Sequence, residues 1–325
     1  MSVPLSILDL ATVGKKETPR DALDTSVAIA QLAETQGYRR VWYAEHHNIR
    51  AIASSATSVV IAHVAAHTSS IRLGSGGIML PNHAPIVIAE QFGTLATLHP
   101  GRIDLGIGRA PGTDQTTMRA LRRDPMSAED FPRDVLELQG YLRGETRVPG
   151  VNATPGAGTN VPLYILGSSL FGAQLAALLG LPYAFASHFA PASLHDAIAI
   201  YRARFQASEQ LDHPYVIAGA NVLVADTAED AQRSFEAVRR ARVGIIVGRD
   251  RSYTDEEADA VLASPQGRYV DQMLQYSAVG TSDVVRQYLD TFANETGADE
   301  LMVVHAVPNA QARLRSVELL PGLRA

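Results

Sequence analysis

The chain contains no cysteine, so disulfides, thiolate metal sites and cysteine nucleophiles are excluded. It has no excess of positive charge. Its 28 lysines and arginines stand against 34 acids, a net charge of −6, which is not the electrostatic footprint of a nucleic-acid binder. No apolar run reaches the ~18 residues that a membrane helix needs, so no membrane span is expected. Residues 1–10 show no basic stretch ahead of an apolar one, so a signal peptide is not expected either and the cytoplasm is the expected location. There is no internal repeat and no low-complexity tract. Metal signatures are missing as well. The first strand carries no His-x-His to pair with an Asp after the last strand, the usual ligand set of metal-dependent barrel hydrolases. His63 and His67 stand at helical spacing without the glutamate of H-E-x-x-H, and read as surface or packing residues. No metal is expected.

What is present is core material arranged in a regular alternation. Apolar residues make up 46% of the 325 and charged residues 19%. Short β-rich runs are expected at residues 4–10, 39–44, 71–80, 102–108, 161–167, 183–186, 215–225 and 300–305. Helical patterns are expected at 22–37, 54–68, 85–98, 128–143, 170–179, 192–206, 227–240 and 282–296. Proline lies inside the first turn of the third, glycine ends the first and the fifth, and Thr227 with Asp230 suggests a capping box. Near-continuous Val/Ile/Leu strands with helices between them indicate a parallel sheet covered by helices. Eight such units favour a closed (β/α)8 TIM barrel, in which a single domain of ~250 residues or more is ordinary, so 1–325 reads as one domain. Two long connections, 110–129 and 243–276, are expected as insertions after barrel strands, and the second is the candidate lid. Residues 146–160, rich in Gly and Pro, read as a surface loop or hairpin.

The chemistry-bearing residues fall where these strands end, and the C-terminal face is where a barrel carries its active site. Strand 39–44 runs into Glu45-His46-His47-Asn48. Adjacent histidines point apart, which disfavours a metal pair, and a solvated loop is the other plain alternative. Strand 71–80 contains Gly74-Ser75-Gly76-Gly77, the mark either of a ligand approaching bare backbone or of tight helix–strand packing. Asn82 and His83 follow it. Strand 102–108 runs into Arg109-Ala110-Pro111-Gly112. The spacing Gly106-x-Gly108-x-x-x-Gly112 is not that of a dinucleotide fold, whereas the Arg109 guanidinium suits phosphate oxygens or else a surface ion pair. Strand 161–167 runs into Ser168-Ser169-Leu170-Phe171-Gly172 at a helix N-terminus, which serves as an anion site or as an ordinary cap. Arg109 and Ser168–Gly172 lie at the ends of different strands, so both could face one phosphate.

Four of these segments in order resemble one family. Val41-Trp42-Tyr43-Ala44-Glu45-His46-His47 is similar to the second-strand motif of the bacterial luciferase alpha chain and its relatives. Gly74-Ser75-Gly76-Gly77-Ile78-Met79-Leu80-Pro81 resembles their third strand, and Ala89-Glu90-Gln91 and His99-Pro100-Gly101-Arg102-Ile103-Asp104-Leu105-Gly106-Ile107-Gly108-Arg109 match further. The resemblance implies a flavin-dependent monooxygenase that takes reduced FMN from a separate NAD(P)H:flavin reductase and uses oxygen on a small organic substrate, as a homodimer. It implies that His46 acts in proton transfer near the flavin, with Glu45 and His47 orienting it or touching substrate. It also implies a cis peptide at Gly76–Gly77 beneath the flavin ring, and a phosphate held by Arg109, Ser168, Ser169 and Gly172. Asn82 and His83 would line the substrate pocket. Gly108 departs from the cysteine of the luciferase alpha chain, and His83 is displaced by one position, so neither light emission nor a long-chain aldehyde substrate is implied. Two other readings share the barrel: an F420-dependent hydride-transfer enzyme, and a non-catalytic flavin-binding protein or heterodimer half. Relatives of the last kind have typically lost the histidine or the long loop, and both are present here.

Overall fold

The computed structural model describes residues 3–110, 114–248, 253–307 and 309–322. In chain order the elements are β1 (Leu5–Asp9), α1 (Pro19–Gln36), β2 (Arg40–Tyr43), α2 (Thr57–Ala65), β3 (Arg72–Met79), α3 (Pro85–Leu98), β4 (Ile103–Gly108), α4 (Gln115–Ala120) and α5 (Phe131–Arg143). They continue with β5 (Leu163–Gly167), α6 (Leu170–Leu179), β6 (Tyr183–Phe185), α7 (Leu194–Arg204), β7 (Val216–Val224), α8 (Ala228–Val247), α9 (Asp255–Leu262) and α10 (Gly267–Met273). The last are β8 (Ser277–Gly280), α11 (Ser282–Thr296), β9 (Glu300–His305) and α12 (Ala310–Leu319).

Eight strands close into a parallel barrel in the order β1-β2-β3-β4-β5-β6-β7-β9, with β9 returning to β1. These are the eight runs expected from sequence. β8 was not among them. It pairs with β7 from Asn221 to Val224, beyond the three residues at which β6 meets the same edge of β7. The short β6 therefore leaves the upper half of that edge to β8. The insertion between β7 and β8 holds α8, α9 and α10 packed together. α8 runs to Val247, past the expected end at 240, and part of the candidate lid, residues 249–252, lies outside the described residues.

Helix limits follow local chemistry. α1 starts behind Thr18, whose capping box with Asp21 is complete, and stops at Gly37, where φ of +79° favours glycine. α3, α6 and α11 run over the residues their patterns predict. At α8 the expected box is half formed. Thr227 accepts the Asp230 N–H, but the Asp230 carboxylate turns to the Thr227 hydroxyl (2.8 Å) and to Arg233. Residues 146–160 form a loop, not a hairpin. It packs on α3 so closely that a Cβ on Gly93 would meet Gly156 Cα at 2.1 Å.

Strand alternation divides the core in two. Ile7, Val41, Leu73, Leu105, Ile165 and Leu301 pack outward against the helices. Leu8, Trp42, Ala44, Tyr164, Ala184, Ile217 and Met302 fill the barrel. Below them, at the strands' N-terminal ends, lies a buried charge network. Arg40 donates to Asp104 (2.7 Å), to the Tyr164 hydroxyl (2.7 Å) and to Glu300 (3.1 Å). Trp42 Nε1 and Arg72 Nε also reach Asp104, at 3.1 and 3.2 Å, and the Tyr215 hydroxyl reaches Glu300 at 2.6 Å. Burial works against the Arg40 charge, but Glu300 and Asp104 outweigh it and hold the guanidinium protonated. This network closes one end of the barrel and leaves the C-terminal end as the mouth.

Candidate active site

The glycines of β3 serve the protein's own packing first. A Cβ on Gly76 would come within 2.6 Å of Leu8, and one on Gly74 within 2.6 Å of the Asp104 carbonyl. A Cβ on Gly77 would come within 2.7 Å of the Gly106 carbonyl. The close approach is strand to strand and to interior side chains, not helix to strand. The Gly76–Gly77 peptide is cis, and the β3–β4 register shifts there.

One cluster forms where β2 and β3 end. Glu45 is 1% exposed, so its carboxylate must find protein partners. It has His47 Nε2 at 2.8 Å, His83 Nε2 at 2.9 Å, Asn82 Nδ2 at 3.3 Å and the Met79 N–H at 3.0 Å. The 3-10 turn Leu80–Asn82, closed by Pro85 at the start of α3, carries Met79, Asn82 and His83 to it. Burial pushes the Glu45 pKa up, but the His47 and His83 hydrogen bonds, the His83 charge and the Met79 N–H outweigh it and bring it down to about 2. The same bond raises the pKa of His47 against the opposing effect of burial. Both imidazoles engage Nε2 with the carboxylate, and among the described residues no group of three or more His, Asp and Glu is arranged to hold a metal. The loop carrying His46 is tied down through its backbone: Ser55 Oγ donates to the His46 carbonyl (2.9 Å) and Thr57 Oγ1 to that of Ala44 (3.1 Å).

A second group forms where β4 and β5 end. The Arg109 guanidinium lies 4.1 Å from the centre of the Phe171 ring, in the first turn of α6. Among the described residues Arg109 has no carboxylate partner. Ser169 stands at the N-cap of α6, yet its side chain makes no capping bond, and Ser168 is exposed. The structure therefore brings Arg109 to the same helix start as Ser168, Ser169 and Gly172. An unpaired guanidinium, an uncapped helix start and an exposed hydroxyl are a donor set that fits a phosphate. Pro111, Gly112 and Thr113 lie outside the described residues.

Two further residues had no part in the sequence expectations. His188 follows β6, and a Cβ on Gly219 of β7 would fall 2.5 Å from its Nδ1. Its loop is fixed by Ser187 Oγ to the Gly219 carbonyl (2.6 Å) and by Asn221 Nδ2 to the His188 carbonyl (2.8 Å). The signal was there, since a histidine just past a barrel strand satisfies the rule that singled out Glu45. Arg242, in the C-terminal half of α8, carried no local signal, and its charge reaches His188.

The profile described as luciferase-like monooxygenase matches residues 3–300. The chain belongs to that family. A luciferase-like monooxygenase of Escherichia coli K12 is 48% identical over 322 residues, 98% of this chain and 96% of the relative. The N-acetyl-S-alkylcysteine monooxygenase of Bacillus subtilis is 32% identical, covering 98% of this chain and 97% of its own length. Among solved structures, apo-MsnO8 superposes with a TM-score of 0.89 at 36% identity, over 98% of this chain and 97% of that one. The luciferase-like barrel thus extends along the chain. Among the described residues no helix is long and apolar enough to cross a membrane.

Proposed function

We propose that this luciferase-like protein is a monooxygenase that uses reduced FMN and oxygen to oxidise a small organic substrate. Reduced FMN, when bound, supplies the electrons that activate oxygen. The observation that carries the reading is Arg109 stacked on Phe171 at the start of α6, without an acid partner among the described residues. Arg109, Ser168, Ser169 and the Gly172 turn would hold the phosphate, and the Gly76–Gly77 backbone would border the flavin site. Glu45, fixed as an anion, anchors His47 and His83 and stiffens the loop that presents His46, which moves a proton near the reacting atoms. Asn82 and His83 border the substrate. Leu10, Leu166, Met302 and Val304 keep the interior below apolar and exclude water. In this reading 1–325 works as one domain, in a cytoplasmic homodimer supplied by a separate flavin reductase.

Titration with FMN, riboflavin and F420 tests it. Wild type should prefer FMN to riboflavin, and Arg109→Met should remove that preference, weakening FMN by about 10- to 100-fold while leaving riboflavin unchanged. His46→Ala should slow turnover more than it weakens FMN. Tight F420 binding with none of FMN would move the protein to hydride transfer.

A further inference from the structure

α8 carries four arginines, and three have acids. Arg233 pairs with Asp230, Arg239 with Glu236 and Asp271 (both 2.9 Å), and Arg240 with Asp259 at 2.7 Å. Asp259 and Asp271 belong to α9 and α10, so Arg239 and Arg240 face the insertion. Arg242 lies about 200° round the helix from Arg240, and so off the side where Arg240 meets α9, and about 60° from Arg239. It is half-buried, and among the described residues no carboxylate lies within ion-pair reach of it. An arginine withdrawn from water without a counter-charge is unfavourable unless a ligand supplies one.

Its surroundings identify the place. α8 packs on β8 and β7, at the rim where β8 widens the barrel beyond β6. His188 lies there on the bare backbone of Gly219, on the inner side of β7. Its Nδ1 is sealed from solvent and has no hydrogen-bond partner among the described residues. Burial first, then the charges of Arg242 and of His46, push the His188 pKa down to about 3, so this imidazole is neutral and offers a hydrogen bond, not a charge. The region thus joins a guanidinium without a partner, a neutral imidazole with an unused nitrogen, and the His46 loop.

We propose that Arg242, with His188 beside it, is an anion subsite at the barrel mouth that binds a carboxylate of the organic substrate, which makes the substrate a carboxylic acid. A guanidinium fork matches a carboxylate with two parallel hydrogen bonds, which an ammonium cannot copy. The inference rests on the proposal above only in taking the mouth as the place where the substrate binds. The same chemistry would also serve the phosphate of a flavin, so the test separates the two sources.

The experiment is calorimetric titration of the full chain, with and without saturating FMN, using hexanoate, benzoate and N-acetylglycinate, each against its primary amide. Wild type should bind at least one carboxylate more tightly than its amide. Arg242→Met should weaken that carboxylate about 10- to 100-fold, Arg242→Lys should restore part of it, and FMN affinity should not change. Arg242→Gln is measured alongside, and melting curves without ligand confirm that the variants compared are folded. The proposal is overturned if no carboxylate outcompetes its amide on wild type, or if the folded variants bind carboxylates like wild type. It is also overturned if Arg242→Met loses FMN but keeps riboflavin, which would assign Arg242 to the flavin phosphate. Carboxylate binding that depends on Arg242 in a protein that ignores FMN would overturn the flavin reading and leave the subsite standing.

Discussion

Glu45 shows how one buried charge organises a site. It has no solvent to ionise into, so its anionic form exists only because two imidazoles and a backbone N–H face it. The sign of its pH dependence follows. The folded pKa lies below the ordinary carboxylate value of 4.5, so the stability it contributes is complete above 4.5 and is lost as pH falls toward 2. His47 is raised above its ordinary 6.5, so its contribution is complete below 6.5 and is lost as pH rises through the raised value. These are two views of one bond, which is strongest between pH 4.5 and 6.5. Glu45→Gln should therefore lower stability at pH 6 by about 1–3 kcal/mol and flatten the melting-temperature profile on both sides. An unchanged profile in the variant would show that the bond contributes nothing to folding. Residues 45 to 47 were legible as candidates because they follow a strand. That Glu45 holds His47 and His83 was not, because His83 comes from a turn 38 residues on.

At the scale of elements, α3 and the loop over it make a prediction whose sign is decisive. Helix propensity alone says that Gly93→Ala stabilises α3 by about 1 kcal/mol. The structure says the reverse. The new methyl would meet Gly156 Cα at 2.1 Å and its nitrogen at 2.7 Å, so loop and helix must separate. Such overpacking costs about 1–3 kcal/mol, and the variant's urea midpoint should fall. A rise would mean that the loop does not rest on α3. The composition of residues 146–160 showed a loop, but composition cannot say which helix a loop lies on. The ends of α3 and α6 were legible for the opposite reason, since Pro85 and Gly180 act on their own backbone.

For the whole molecule, the barrel separates a closed charged end from an open end, and the two should fail independently. Four steps along the strand, about 13 Å, separate Arg40 in the network from Ala44 at the mouth. Asp104→Asn leaves Arg40 with Glu300 alone among carboxylates, and breaking such a buried pair costs roughly 3–5 kcal/mol. Denaturant unfolding should show that loss with an unchanged slope, while the folded fraction keeps its FMN affinity. Loss of FMN affinity in that fraction would show that the closed end shapes the mouth.

The sequence by itself determined the eight barrel strands, their parallel sense and the limits of α3, α6 and α11, because apolar runs, caps and breakers act within a few residues of themselves. Tertiary structure alone decided the rest. Ser277–Gly280, with Val279 its one strand-favouring residue, becomes a strand only by pairing with β7. Arg40, Asp104 and Glu300 read as polar strand ends until closure brings residues 260 apart in sequence into contact. The charge of Arg242 reaches His188 only because α8 packs back on β7 and β8. A chain writes its local backbone preferences in adjacent residues, whereas the partner of a buried charge is chosen by which strands the closed barrel sets side by side.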